Sequence, residues 1–178
     1  MKICVIGTRG FPNIQGGVEK HCEALYPLLA KNNEIVAFRR KPYVTDKVTS
    51  YRNIRFIDLP STKVKGFEAV FHSLLATVYA VFLRPDVVHI HNIGPAMFAP
   101  ILKAFGIKMV LTYHSANYEH EKWGWFSRHL LMMCEKIALG CADSIIFVNK
   151  FQMERFCEKI RQKSYYVPNG IPRRNNRE

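Results

Sequence analysis

Short apolar runs alternate along this chain with stretches in which apolar residues return every three or four positions. Runs of the first kind read as strands buried on both faces, and stretches of the second kind as the helices that cover them. The pattern therefore predicts one α/β unit, a Rossmann-like parallel sheet with helices on both faces. Strands are expected at Lys2 to Gly7, Ile35 to Arg39, Ile54 to Leu59, Val87 to His91, Met109 to His114, Ser144 to Val148 and Ser164 to Val167. Helices are expected at Val18 to Lys31, at Phe67 to Leu83 before Pro85, and at Ala96 to Phe105, ending at Gly106. A longer one should run from about Trp123 to Leu139, with Gly140 as its cap, and a last one over Phe151 to Ile160, with Asn149 as its N-cap. The stretch Phe67 to Leu83 fails as a membrane span, because Glu68 and His72 interrupt it and crossing takes roughly 20 apolar residues.

In an open parallel sheet, ligands sit beyond the carboxyl ends of the strands. That rule selects the loop Thr8 to Gly17 and the segments His89 to Asn92, Thr112 to Ser115 and Val167 to Gly170. The first is the most informative. Gly16-Gly17-Val18-Glu19 opens a helix directly after a strand, so two glycines let a ligand approach the backbone where free N–H groups favour an anion. It is neither the G-x-G-x-x-G fingerprint nor a P-loop, which sets NAD-type and P-loop readings behind.

With 178 residues and 48% hydrophobic content, the chain can build one sizeable core. Its formal charge of +12 calls for an acidic partner: nucleotide phosphate, anionic lipid or nucleic acid. No RNP, KH or helix-turn-helix pattern supports nucleic acid. The cluster Arg39-Arg40-Lys41 reads as solvated surface, and Arg173, Arg174 and Arg177 as a tail or linker. Five cysteines without a C-x-x-C pair give neither a disulfide framework nor a zinc site. A cytoplasmic, reducing compartment is expected, and no secretion leader precedes the first strand.

His89 and His91 share one face of their strand, which is half of a metal site with no third ligand fixed by local spacing. His89 is expected to be hydrogen bonded inside the sheet, and His91 and Asn92 to reach the cleft. His114 ends an apolar strand, so its imidazole should stand at the cleft mouth, able to bond a sugar hydroxyl or a phosphate oxygen. No G-x-S-x-G elbow and no H-E-x-x-H run is present, which leaves hydrolase and metalloprotease readings without support. Tyr118 to Trp125 reads as an aromatic, charged loop, either solvated or forming an acceptor wall.

Met1-Lys2-Ile3 to Phe11-Pro12, Gly16-Gly17-Val18-Glu19, Asp86-Val87-Val88-His89-Ile90-His91, Lys122-Trp123-Gly124, Ala142-Asp143-Ser144-Ile145-Ile146 and Val167-Pro168-Asn169-Gly170 follow one another in this order. Together they resemble the amino-terminal domain of a family 4 glycosyltransferase, a retaining sugar-nucleotide enzyme of the GT-B fold, and most of all its rhamnosyltransferase-like subgroup. The resemblance implies that Gly16 and Gly17 lie against the donor diphosphate and that His114 faces the sugar near the bond being made. Arg9, Glu19, His91, Asn92, Tyr118, Lys122 and Trp123 are the further candidates for the cleft and the acceptor. Three positions depart from the family pattern: Ser115 where many relatives have glycine, Tyr118 where the subgroup has tryptophan, and Asn149 where serine is usual.

The same resemblance makes residues 1–167 the acceptor-side domain and 168–178 the start of an interdomain linker or tail. The family's second domain holds most nucleotide contacts and a Glu-x7-Glu signature, a spacing that no two glutamates here have. The expected function is transfer of a sugar from a nucleotide diphosphate donor to a glycan or lipid-linked acceptor, with retention, this chain alone being inactive. No cofactor and no metal are expected, and an anionic membrane surface is a candidate partner. The alternative is a non-catalytic module that binds an acidic membrane surface or a protein.

Overall fold

The computed structural model describes residues 1–45, 48–62, 64, 67–115 and 124–170. Strands β1 (Lys2–Ile6), β2 (Glu34–Arg40), β3 (Ser50–Tyr51), β4 (Ile54–Leu59), β5 (Val87–His91), β6 (Lys108–Tyr113), β7 (Ser144–Phe147) and β8 (Ser164–Tyr166) form one sheet in the order β3-β4-β2-β1-β5-β6-β7-β8. Every neighbouring pair is parallel except β3 with β4. This is the doubly wound α/β sheet that the alternating pattern predicts. The strand order reverses between β1 and β5, and the crevice at their carboxyl ends is where such a sheet takes its ligand.

Alternation along the strands divides the core in two. Cys4, Ile6, Val36, Phe38, Val88 and Ile90 pack on one face, beneath α2 (Phe67–Leu83), α3 (Ala99–Ala104) and α4 (Trp125–Cys141). Ile3, Val5, Ile35, Ala37 and Ile54 pack on the other, with Cys22 and Tyr26 of α1 (Gly17–Leu29) and with Phe11. His89 lies opposite Val5 in the sheet and His91 opposite Thr112, so both imidazoles point to the α1 side.

Several local expectations are corrected. Gly140 does not end α4; the helix runs on to Cys141, and the Asp143 carboxylate beyond it accepts the Met109 amide at the start of β6. The expected helix over Ala96 to Phe105 is a 3-10 turn (Pro95–Phe98) followed by α3, since Pro100 has no N–H to continue the ladder. The pattern over Phe151 to Ile160 divides into α5 (Lys150–Glu154) and α6 (Glu158–Arg161), with the Phe156 ring turned in between them onto Tyr113 and Phe147. Asn149 does cap α5, its side chain accepting the Phe151 amide at 2.9 Å.

Of the basic cluster at the end of β2, Lys41 is exposed as expected, but Arg39 and Arg40 are not solvated. Arg39 is fully buried, and its guanidinium donates to both oxygens of Asp58 at 2.7 and 3.0 Å. Arg40 is 7% exposed and lies 3.6 Å from Glu68. A charge this deep persists only with a carboxylate beside it, and the register places Asp58 opposite Arg39 in the adjacent strand. Arg173, Arg174 and Arg177 lie outside the described residues.

Candidate functional site

Gly7 ends β1 with φ at +102, and a Cβ there would run into the His91 carbonyl, so the first loop and the end of β5 meet directly. The chain then turns back into α1 through Gly16, at φ +150 and ψ 151, a region open only to glycine. Glu19 of the first helical turn is buried; it accepts the Arg9 amide at 3.0 Å and lies 3.5 Å from the Thr8 hydroxyl. Its carboxylate therefore ties the loop to α1 and does not reach the cleft. A Cβ at Gly16 would collide with that carboxylate, whereas one at Gly17 meets nothing within 4 Å. No side chain caps α1, which leaves its first N–H groups beside this bare backbone.

The open space in front of Gly17 is a cleft of about 720 Å³ bordered by Lys20, His21, Tyr51, Arg52 and Asn169. Its charged lining is Lys20 and Arg52, with Glu23 of the same helix face as Lys20. Arg9 stands at the rim of the same loop, exposed, with its guanidinium 5.3 Å from the centre of the Tyr43 ring.

Behind the cleft lies a cluster of imidazoles. His114 follows β6 with its Nε2 3.1 Å from His91 Nδ1, and His91 Nε2 is 2.7 Å from the Tyr26 hydroxyl. The same hydroxyl is 2.9 Å from His89 Nδ1, and His89 Nε2 is 2.7 Å from the Thr112 hydroxyl. His21, from α1, stands edge-on to both His91 and His114, with ring centres 5.7 and 5.3 Å away. It borders the cleft and touches the cluster. Burial lowers the His114 imidazole to about 4, with His21 adding to the effect. Burial likewise lowers His89 to about 3 and His91 well below its ordinary value. These rings are neutral near pH 7, each with one N–H and one lone pair.

His89 sits as expected, bonded inside the sheet. His91 does not reach the cleft, because Tyr26 and Cys22 of α1 roof it over and leave it fully buried. Asn92 is half-buried at φ +71, with its amide donating to the Thr112 carbonyl. Tyr118, Lys122 and Trp123 lie outside the described residues. The sequence reading missed His21, although it follows Gly17 by one helical turn and so shares its face of α1. It also missed Tyr26, whose polar end no sequence pattern singles out.

The third ligand that local spacing did not provide comes from elsewhere in the fold: His21, His91 and His114 each place a ring nitrogen within 4.8 Å of the others. Three imidazoles can hold a divalent metal, but here His91 and His114 already bond to each other, and a metal would have to displace that bond.

Among solved structures, the chain is similar to sucrose-phosphate synthase from Thermosynechococcus elongatus, at 22% identity and a TM-score of 0.74, over 96% of this chain and 48% of that one. It is also similar to HepE of Anabaena, solved in complex with UDP and glucose, at 11% identity and a TM-score of 0.65, over 96% and 44%. A third is UGT89C1 of Arabidopsis thaliana with UDP-L-rhamnose, at 14% identity and a TM-score of 0.59, over 97% and 49%. These likenesses give the shared fold, and the chain spans about half the length of each of the three. No curated protein matches it. Residues 15–174 match the model of Glycosyltransferase Family 4, and over that range, from the first glycine loop past the last strand, the chain belongs to that family.

Proposed function

We propose that this chain forms the acceptor-side half of a retaining glycosyltransferase, of the rhamnosyltransferase-like kind, that moves a sugar from a nucleotide diphosphate donor to a glycan or lipid-linked acceptor. The observation that carries the reading is the uncapped amino terminus of α1, bare at Gly17, which stands at the switch point of the sheet and opens on a cleft that holds Lys20 and Arg52 beside Glu23. The N–H groups there, with Lys20 one turn on, suit the phosphates of a departing nucleoside diphosphate. In this reading they supply the positive charge, and no metal is called for. His114, held neutral, offers its Nδ1 to a hydroxyl of the transferred sugar and so helps to orient the reacting bond. The UDP and UDP-sugar complexes of similar folds support a nucleotide sugar as donor.

A second domain would complete the nucleotide pocket, in keeping with relatives about twice as long. A lipid-linked acceptor would bring the protein to the inner face of a membrane. On α4, Trp125 is 75% exposed beside exposed Arg128, Met132 and Met133, a mixture suited to an anionic interface.

The test is transfer by the full-length protein that carries this chain, assayed with UDP, GDP and dTDP sugars. His114→Ala should lower kcat/KM roughly tenfold to a thousandfold, equivalent to about 1.4–4 kcal/mol of transition-state stabilisation, with the fold intact. Turnover at the parental rate would refute the role given to His114.

A further inference from the structure

We propose that His89, Tyr26 and His91 form one proton-ordered chain with Thr112 and His114, in which the three imidazoles share a single tautomer. The chain then determines whether His114 carries a hydrogen or a lone pair on Nδ1, the nitrogen that faces away from His91. It runs without a gap: Thr112 hydroxyl to His89 Nε2 at 2.7 Å, His89 Nδ1 to the Tyr26 hydroxyl at 2.9 Å, Tyr26 to His91 Nε2 at 2.7 Å, and His91 Nδ1 to His114 Nε2 at 3.1 Å. Each contact holds one hydrogen, and each neutral imidazole has one to give.

Two arrangements satisfy every contact. In one, Thr112 donates to His89, His89 Nδ1–H to Tyr26, Tyr26 to His91 Nε2, and His91 Nδ1–H to His114, which leaves His114 with its hydrogen on Nδ1. In the other, every bond is reversed, and all three rings carry the hydrogen on Nε2. A mixed arrangement sets two N–H groups or two lone pairs against each other, or turns both histidines toward the Tyr26 oxygen. In the last case the Tyr26 hydrogen has no acceptor, since no described residue other than His89 and His91 bonds to that hydroxyl. A buried polar group left without its partner is costly enough to suppress the mixed forms. Burial keeps the participants neutral, because it lowers both His89 and His91 and raises Tyr26.

Tyr26 and His91 never meet the substrate in this scheme; they are positioning residues for His114. The consequence for catalysis rests on the proposed role of His114, whereas the proton order is a property of this chain alone and is measured without any substrate. Long-range proton–nitrogen NMR spectra of the 15N-labelled chain near neutral pH read the tautomer of each ring from its pair of nitrogen shifts. The same tautomer at His89, His91 and His114 is the expected result; one of the three in the opposite form overturns the proposal. Tyr26→Phe removes the central link, and in a variant whose amide spectrum remains native His114 should shift to a mixture of tautomers. Native tautomer populations in such a variant would also overturn it. Should Tyr26→Phe not fold, the wild-type spectrum alone decides.

Discussion

Gly16 and Gly17 are adjacent, yet alanine should move stability in opposite directions at the two positions. At Gly16 the backbone stands at φ +150 and ψ 151, where a side chain costs on the order of 1–3 kcal/mol. The new Cβ would also displace the Glu19 carboxylate and weaken its bond to the Arg9 amide, a charge-assisted bond worth about 1.5–3 kcal/mol. That bond is partly exposed, so the combined loss is set at about 2–4 kcal/mol, or a fall in Tm on the order of 10 °C for a domain of this size. At Gly17, the first residue of α1, a Cβ enters open space and the helix gains up to about 0.5 kcal/mol from alanine. Thermal unfolding of the two purified variants, followed by circular dichroism, measures both. A Gly16→Ala variant as stable as the parent, or a Gly17→Ala variant destabilised like Gly16→Ala, would refute this account of the loop. A folded Gly17→Ala variant that binds donor less tightly in the full-length protein would in turn separate its ligand role from its structural one.

The fold excludes protons that the unfolded chain binds, since His72 and His114 are lowered to about 4 and His89 to about 3, chiefly by burial, from an ordinary 6.5. Stability should therefore be full above about pH 6.5 and fall as the pH drops toward 4, by up to about 1.4 kcal/mol per pH unit for each such histidine; equal urea midpoints at about pH 7 and about pH 5 would contradict this. Asp58→Ala takes the carboxylate from buried Arg39, which keeps the Val48 carbonyl, and should cost about 2–3 kcal/mol in urea denaturation; a loss under about 0.5 kcal/mol would make the pair a surface one in energy. Cosedimentation with anionic vesicles should exceed that with neutral ones and fall with salt, and Trp125→Ala with Arg128→Ala should reduce it, whereas equal recovery with both vesicle types would count against a membrane face on α4.

Strand positions were legible because a strand buried on both faces needs a continuous apolar run, which β1 supplies and which β5 keeps apart from His89 and His91. β3 was not, since Ser50 and Tyr51 are too short a run to show a period. Gly140 misled because a glycine on an exposed turn can remain helical when the next bonds, here between Asp143 and β6, set the helix end. Arg39 looked like solvated surface because the carboxylate that buries it comes from Asp58, many residues further along the chain. Of the candidate site, Gly17 and His114 stood out in the sequence because they adjoin element ends. The site's interior did not, because the contact of Tyr26 with His89 and His91 depends on how α1 lies across the sheet, and no local spacing encodes that packing.

The most direct test of the central claim is an amide NMR titration of this chain with UDP, GDP and dTDP sugars. Binding should be weak, with a dissociation constant of about 1 mM, because most of the proposed nucleotide contacts belong to a second domain. The shifts should centre on Gly17, Lys20 and His21 and extend to His114, while α2 and α3 on the far face remain still. An undisturbed amino terminus of α1 at saturating nucleotide sugar would contradict the account.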